Sequence, residues 1–235
     1  AREGRRSKAQ RRRGCARAEA QGASSAGVEL LSPRFRHREK HRMLFDRNGF
    51  VTFPEFLSPA GLSFLRRQVD EIYRDKHPHV DGEWILNVHQ CLPPAGNWMW
   101  ELATHAKIVE MLQSYLGKEV QLYASQLHRK VCAGANGSGG HAVPMHQDGD
   151  ENVLTLWIAL DDVDETNGGL KVLPGCHKYG RLPFQPVKTH RELSDAEYFS
   201  RYNVFKVDVS KLLQAPPVST RASLRNGDMY CYRLK

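Results

Sequence analysis

Apolar residues change their spacing along this chain, and the change divides it into a helical part and a strand part. The stretch "FDRNGFVTFPEFL" predicts a helix end, a turn at Asn48-Gly49 and a short strand rich in Phe and Val. Ser58-Pro59 announces a helix, with Ser as its cap and Pro at the first helical position. Leu62, Leu65, Val69, Ile72 and Tyr73 follow at helical spacing and make one apolar face. Residues 77–100, rich in Pro, His and Trp, read as an irregular connection. Thr104 is a candidate cap for a second helix, with Ile108, Val109, Leu112 and Leu116 on one side and Gly117 closing it.

Beyond Gly117 the period becomes two. "EVQLYASQLHRKVC", Glu119 to Cys132, predicts a strand, and "AGANGSGGHAVP" a glycine-rich loop. In "NVLTLWIALDDV" the residues Leu154, Leu156, Ile158 and Leu160 take one face, and Val153, Thr155, Trp157 and Ala159 the other. "DETNGG" is a turn, "LKVL" a strand and "PGCH" another turn. Residues 181–217 form a long polar segment with a capping box at Ser194-x-x-Glu197, and "ASLRNGDMYCYRLK" ends in a last strand. Helices followed by short strands and glycine-rich turns predict a mainly β chain with N-terminal helices, a β-sandwich or barrel.

Charge alters this picture at one end only. The 235 residues carry a net charge of +8. Residues 1–42 hold 13 Lys/Arg against 4 Glu, whereas residues 43–235 balance 21 Lys/Arg with 22 Asp/Glu. The sequence therefore predicts a basic, disordered leader over 1–42 and a folded domain over 43–235. The leader's composition suits an organelle transit peptide, a nucleic-acid or anionic-surface tether, or a plain solvated tail. Cys15, Cys91, Cys132, Cys176 and Cys231 have no framework spacing, which favours a reduced, intracellular chain, cytoplasmic or organellar. No apolar run is long enough to suggest a membrane span.

Candidate chemistry centres on "PMHQDGD". In an extended segment, residues i and i+2 point to one side, so His146 and Asp148 can present an imidazole and a carboxylate together. These are two-thirds of a 2-His-1-carboxylate triad, which leaves open positions on Fe(II). With nitrogen and oxygen donors and no thiolate, iron is favoured over structural zinc. His-x-Asp also arises by chance in a chain with 11 His, and a surface His beside an acidic loop is the competing reading.

The order of "NGFVTFPEFLSPAGLSFLRRQVDEI", "SQLHRKVCAG", "PMHQDGD", "LTLWIALDDVDETNGGLKVLPGCHK" and "RNGDMYCY" resembles the phytanoyl-CoA dioxygenase family of Fe(II)- and 2-oxoglutarate-dependent oxygenases. The resemblance covers about residues 43–235 and implies a double-stranded β-helix, or jelly roll. It implies His146 and Asp148 as iron ligands, and Trp157, Gln126 and Lys130 as residues around 2-oxoglutarate. Core packing competes for Trp157, and a solvent-facing role for Gln126 and Lys130. Asn167, Gly168, Gly169, Pro174, Gly175 and His177 match fold-shaping turns, with Cys176 where the family usually has Ser or Thr.

The implied activity hydroxylates an unactivated carbon of a small metabolite or lipid-derived substrate, using O2. A carboxylate at Asp148 favours hydroxylation, since halide-inserting relatives leave that position open. The family's second ligand His, and the Arg that grips 2-oxoglutarate, follow the aromatic strand at Gly227 to Tyr232 and are not present before Lys235. The sequence thus predicts a jelly roll incomplete at its C-terminal end, with His141 or His177 as conceivable substitute ligands. The alternative to a hydroxylase is a non-catalytic jelly-roll module.

Overall fold

The structure is a computed structural model and describes residues 25, 27–74, 84–92, 96–130, 146–147 and 153–180, together with the strand segments 184–186, 205–207, 220–221 and 229–234. Helix α1 (Glu39–Asn48) ends at Gly49, whose φ of +83° suits a residue without Cβ, and strand β1 (Phe50–Phe53) follows. Helix α2 (Pro59–Arg74) starts as the sequence predicts, the Gly61 N–H donating to the buried Ser58 Oγ at 2.8 Å. Leu65 is buried on its apolar face, joined by Gly61, Phe64 and Gln68.

Two expectations need correction here. Residues 77–100 are not simply irregular: they contain β2 (Trp84–Leu86), α3 (Val88–Cys91) and the start of α4 (Trp98–Ala103). Asn97 caps α4, its side-chain oxygen accepting from the Trp100 N–H at 3.0 Å, and Trp98 is buried beneath. The cap of α5 (Ala106–Leu116) is His105 rather than Thr104, because the Thr104 hydroxyl turns back to the Trp100 carbonyl at 2.8 Å. His105 Nδ1 accepts instead from the Lys107 N–H at 3.2 Å. Helices α4 and α5 are thus two elements meeting at Thr104 and His105.

The remaining described strands are β3 (Gln126–His128), β4 (Val153–Ile158), β5 (Lys171–Val172), β6 (Phe184–Pro186), β7 (Phe205–Val207), β8 (Thr220–Arg221) and β9 (Met229–Leu234). Strand β9 lies between β1 and β4, antiparallel to both, so Thr52, Tyr230 and Trp157 form one row across the sheet. Separate antiparallel pairs join β2 to β3, β5 to β8 and β6 to β7. Helices hold more of the described residues than strands do, so the expected mainly β character shows as a mixed chain with short strands. The capping box at Ser194 and Glu197 lies outside the described residues.

The core sits between the helices and one face of the three-stranded sheet. Leu154, Leu156, Ile158 and Leu160 pack on this cluster, while Trp157 packs with Phe50, Val163, Leu170 and Val172 around the buried Ala159 on the other. The alternation predicted for β4 is therefore present in the packing.

The expected start of folded sequence near Met43 falls too late. Leu30, Leu31 and Phe35 are buried, and Leu31 forms a β-bridge with Leu57. The Ser32 N–H donates to the Phe56 carbonyl at 2.8 Å and the Ser58 N–H to the Leu30 carbonyl at 3.0 Å. Phe35 meets Phe53 and Phe56 edge-on, with ring centroids 5.5 and 4.8 Å apart. Three apolar residues among many basic ones suffice to anchor this segment, because each buried side chain contributes about 1.5–3 kcal/mol.

Candidate active site

Strand β3 sets the polar side of the candidate site. Leu127 and Ser125 are buried towards the helices, while Gln126 and His128 alternate onto the exposed side, and beyond the strand Arg129 and Lys130 are both exposed. The alternation predicted for this run holds over Ser125 to His128 and stops before Lys130, which lies past the end of the strand. Part of the His128 residue is open to solvent, yet desolvation of its ring and the neighbouring Lys130 charge push its pKa down to about 4. The sequence reading did not single out His128; the period-two spacing from Gln126 to Lys130 was the available signal.

Lys130 is held in place. Its Nζ donates to the Gly168 carbonyl at 2.6 Å, tying β3 to the Asn167-Gly168-Gly169 turn. Desolvation and the Lys171 charge both lower its affinity for a proton. The turn is fixed by Asp164, which accepts from the Thr166 N–H and hydroxyl at 2.7 and 2.6 Å. Its backbone N–H donates to Asn167 Oδ1 at 2.7 Å. Trp157 is half-buried on the β4 face that carries Ala159 and stands opposite Tyr230 of β9. Core packing and a place beside a pocket are both compatible with that position.

His146 is half-buried, and the Gln147 side-chain amide donates to the Gly180 carbonyl at 3.0 Å. Asp148 and His141 lie outside the described residues. Among the described residues, no group of three or more His, Cys, Asp or Glu side chains comes together as a metal cage.

His177 serves a different purpose from a substitute ligand. Its Nε2 lies 3.1 Å from the Asp46 carbonyl oxygen at the end of α1, and its ring fills the space that a Gly49 side chain would occupy. The Gly175 N–H donates to the Asn48 carbonyl at 2.7 Å. "PGCH" is therefore clasped onto the Asn48-Gly49 corner, as its assignment to fold-shaping turns expects. Cys176 is a free, half-buried thiol whose pKa burial pushes up, which makes it a poor nucleophile at neutral pH.

The profile of the phytanoyl-CoA dioxygenase family matches residues 45–211. The chain belongs to the phytanoyl-CoA dioxygenase family. A probable alpha-ketoglutarate-dependent hypophosphite dioxygenase of Stutzerimonas stutzeri is 34% identical over 103 residues, covering 41% of this chain and 32% of the relative. An ectoine dioxygenase of Streptomyces coelicolor is 26% identical over 172 residues, covering 64% of this chain and 56% of the relative. The chain thus spans between about a third and somewhat over half of these two relatives. The crystal structure of EctD from S. alaskensis with 2-oxoglutarate and 5-hydroxyectoine superposes with a TM-score of 0.62 at 16% identity, covering 88% of this chain and 71% of that one. The fold is that of the Fe(II)/2-oxoglutarate oxygenases, and the family depends on Fe(II) and 2-oxoglutarate. Among the described residues, no helix is long and apolar enough to cross a membrane.

Proposed function

We propose that the natural protein is an Fe(II)- and 2-oxoglutarate-dependent dioxygenase that hydroxylates an unactivated carbon of a small metabolite or lipid-derived substrate. His146 and Asp148 are the iron ligands in this reading, and Gln126, Lys130 and Trp157 surround the co-substrate. The observation that carries it is the anchoring of Gln147 to Gly180. In an extended segment a Gln147 tied to one side directs His146 to the other, and it is the i, i+2 spacing in the sequence that pairs Asp148 with His146 in this reading. Their nitrogen and oxygen donors suit Fe(II), and the half-buried imidazole suits a ligand shielded from bulk water. When bound, iron would supply the oxygen activation that decarboxylates 2-oxoglutarate to succinate and oxidises the substrate carbon.

The chain's own residues have simpler tasks. Gln147 orients the ligand pair, Lys130 neutralises a carboxylate of the co-substrate, and Trp157 limits the access of water on the β4 side. His128 stays uncharged at neutral pH, so its ring adds no second cation beside Lys130.

His146→Ala and Asp148→Ala test the assignment in the full natural protein. Each is expected to abolish succinate formation from 2-oxoglutarate while leaving the fold intact by circular dichroism. Turnover retained in either folded variant would remove that residue from the ligand set.

A further inference from the structure

Lys130 and the glycine turn at residues 167–169 fit one another in a way that turn geometry alone does not require. The Lys130 stem lies in the space a side chain on Gly168 would fill: a Cβ there would overlap Lys130 Cδ and come within 2.8 Å of Nζ. The same lysine donates one of its three N–H groups to the Gly168 carbonyl. Among the described residues no carboxylate meets the ammonium, and its charged neighbour Lys171 repels it. Lys130 is exposed, and the two donors that remain on its ammonium are open to an anion in place of water.

We propose that Gly168 is a seat for Lys130, positioning its ammonium to bind a carboxylate of 2-oxoglutarate. The inference rests on the co-substrate reading above. Gly168 acts as a positioning residue: its missing side chain lets the lysine stem cross the turn, and its carbonyl fixes the ammonium's direction.

Gly168→Ala is a selective probe, because the groups that the new methyl meets belong to a flexible side chain and not to backbone. Gly117→Ala is its control: φ is +100° at Gly117 and +96° at Gly168, yet a Cβ at Gly117 meets nothing within 4 Å. A positive φ is thus common to both, and displacement of Lys130 belongs to one variant alone.

The experiment measures the dissociation constant of 2-oxoglutarate by anaerobic titration of the Fe(II)-loaded natural protein. Lys130→Met is expected to weaken binding by about ten- to a hundredfold, the range for losing a charged hydrogen bond. Gly168→Ala should weaken it comparably, the double variant little more than Lys130→Met alone, and Gly117→Ala not at all. In ligand-free protein, NMR titration should find the Lys130 ammonium below the ordinary lysine range in the wild type, and moved upwards in Gly168→Ala.

Wild-type affinity in either Gly168→Ala or Lys130→Met, or additive losses in the double variant, overturns the seat. Should Gly168→Ala fail to fold, the Lys130→Met affinity and the wild-type titration decide by themselves: wild-type affinity in that variant, or a wild-type Lys130 titrating with the ordinary lysines, overturns the seat. No 2-oxoglutarate binding by the wild type overturns the co-substrate reading itself, a result distinct from tight binding indifferent to both substitutions.

Discussion

Single residues carry unusual weight where one turn closes on another. Gly49 ends α1 with a positive φ, and the His177 ring occupies the space beside it, its Nδ1 lying 2.5 Å from where a Cβ would stand. Gly49→Ala therefore meets both left-handed strain and a half-buried ring. A loss of about 2 kcal/mol or more is expected, since the backbone part alone costs about 1–2 kcal/mol. Chemical denaturation of Gly49→Ala beside Gly175→Ala checks this, since Gly175 shares the left-handed backbone (φ +78°, ψ −4° against +83° and +3°) and a Cβ there meets only the Arg47 carbonyl oxygen, at 4.0 Å. Equal losses in the two would show that the His177 contact adds nothing. The sequence made the glycine legible through Asn48-Gly49, and the "PGCH" turn legible by itself. That the two turns touch was not legible, because about 125 residues separate them and neither pattern points at the other.

Elements were readable wherever periodicity and caps agreed. Helix α2 has Ser58, Pro59 and a clean apolar face, and β4 alternates over its whole length. Helix α4 escaped notice because six residues are too few to show a period, and its cap Asn97 follows a Pro- and Gly-rich stretch. Strand β3 was seen, but its three described residues are far fewer than the fourteen in the predicted run. Its middle position bears on pH. An unfolded His128 takes up a proton near its ordinary pKa of 6.5, whereas the folded ring resists protonation down to about 4. Protons therefore bind the unfolded chain preferentially between these values, and stability falls as pH drops from about 6.5 towards 4. His37, His41 and His89 are shifted downwards by burial as well, so they steepen the same limb. His128→Gln should flatten that limb while leaving the pH dependence above pH 7 as it is in the wild type. An unchanged slope between pH 6.5 and 4 would contradict the desolvation of this ring.

The whole molecule depends on a segment that composition disguises. A charge profile reads residues 1–42 as one basic leader, because Arg outnumbers everything else and hides Leu30, Leu31 and Phe35. Their burial shows that packing is decided by a few well-placed apolar groups and not by average polarity. Deleting residues 1–24 leaves Leu30, Leu31 and Phe35 in place and is the reference for a longer deletion that removes them. Deleting residues 1–42 removes all three side chains and the strand-like pairing at Leu31. Large-to-small changes at single core sites cost about 2–5 kcal/mol, so this deletion should exhaust a typical stability of about 5–15 kcal/mol. A cooperative melt at wild-type temperature after the longer deletion would return the boundary to Met43. The candidate site divides in the same way. Its polar strand face and its Trp157 were readable from period two, whereas the Lys130 contact with Gly168 joins segments that only the fold brings together. Whether His146 and Asp148 hold iron is the central claim, and visible absorption tests it most directly. Fe(II) and 2-oxoglutarate added together without oxygen to the natural protein should produce a charge-transfer band, lost in His146→Ala and in Asp148→Ala. A folded wild-type protein that shows no band, or a band that survives in both variants, would contradict it.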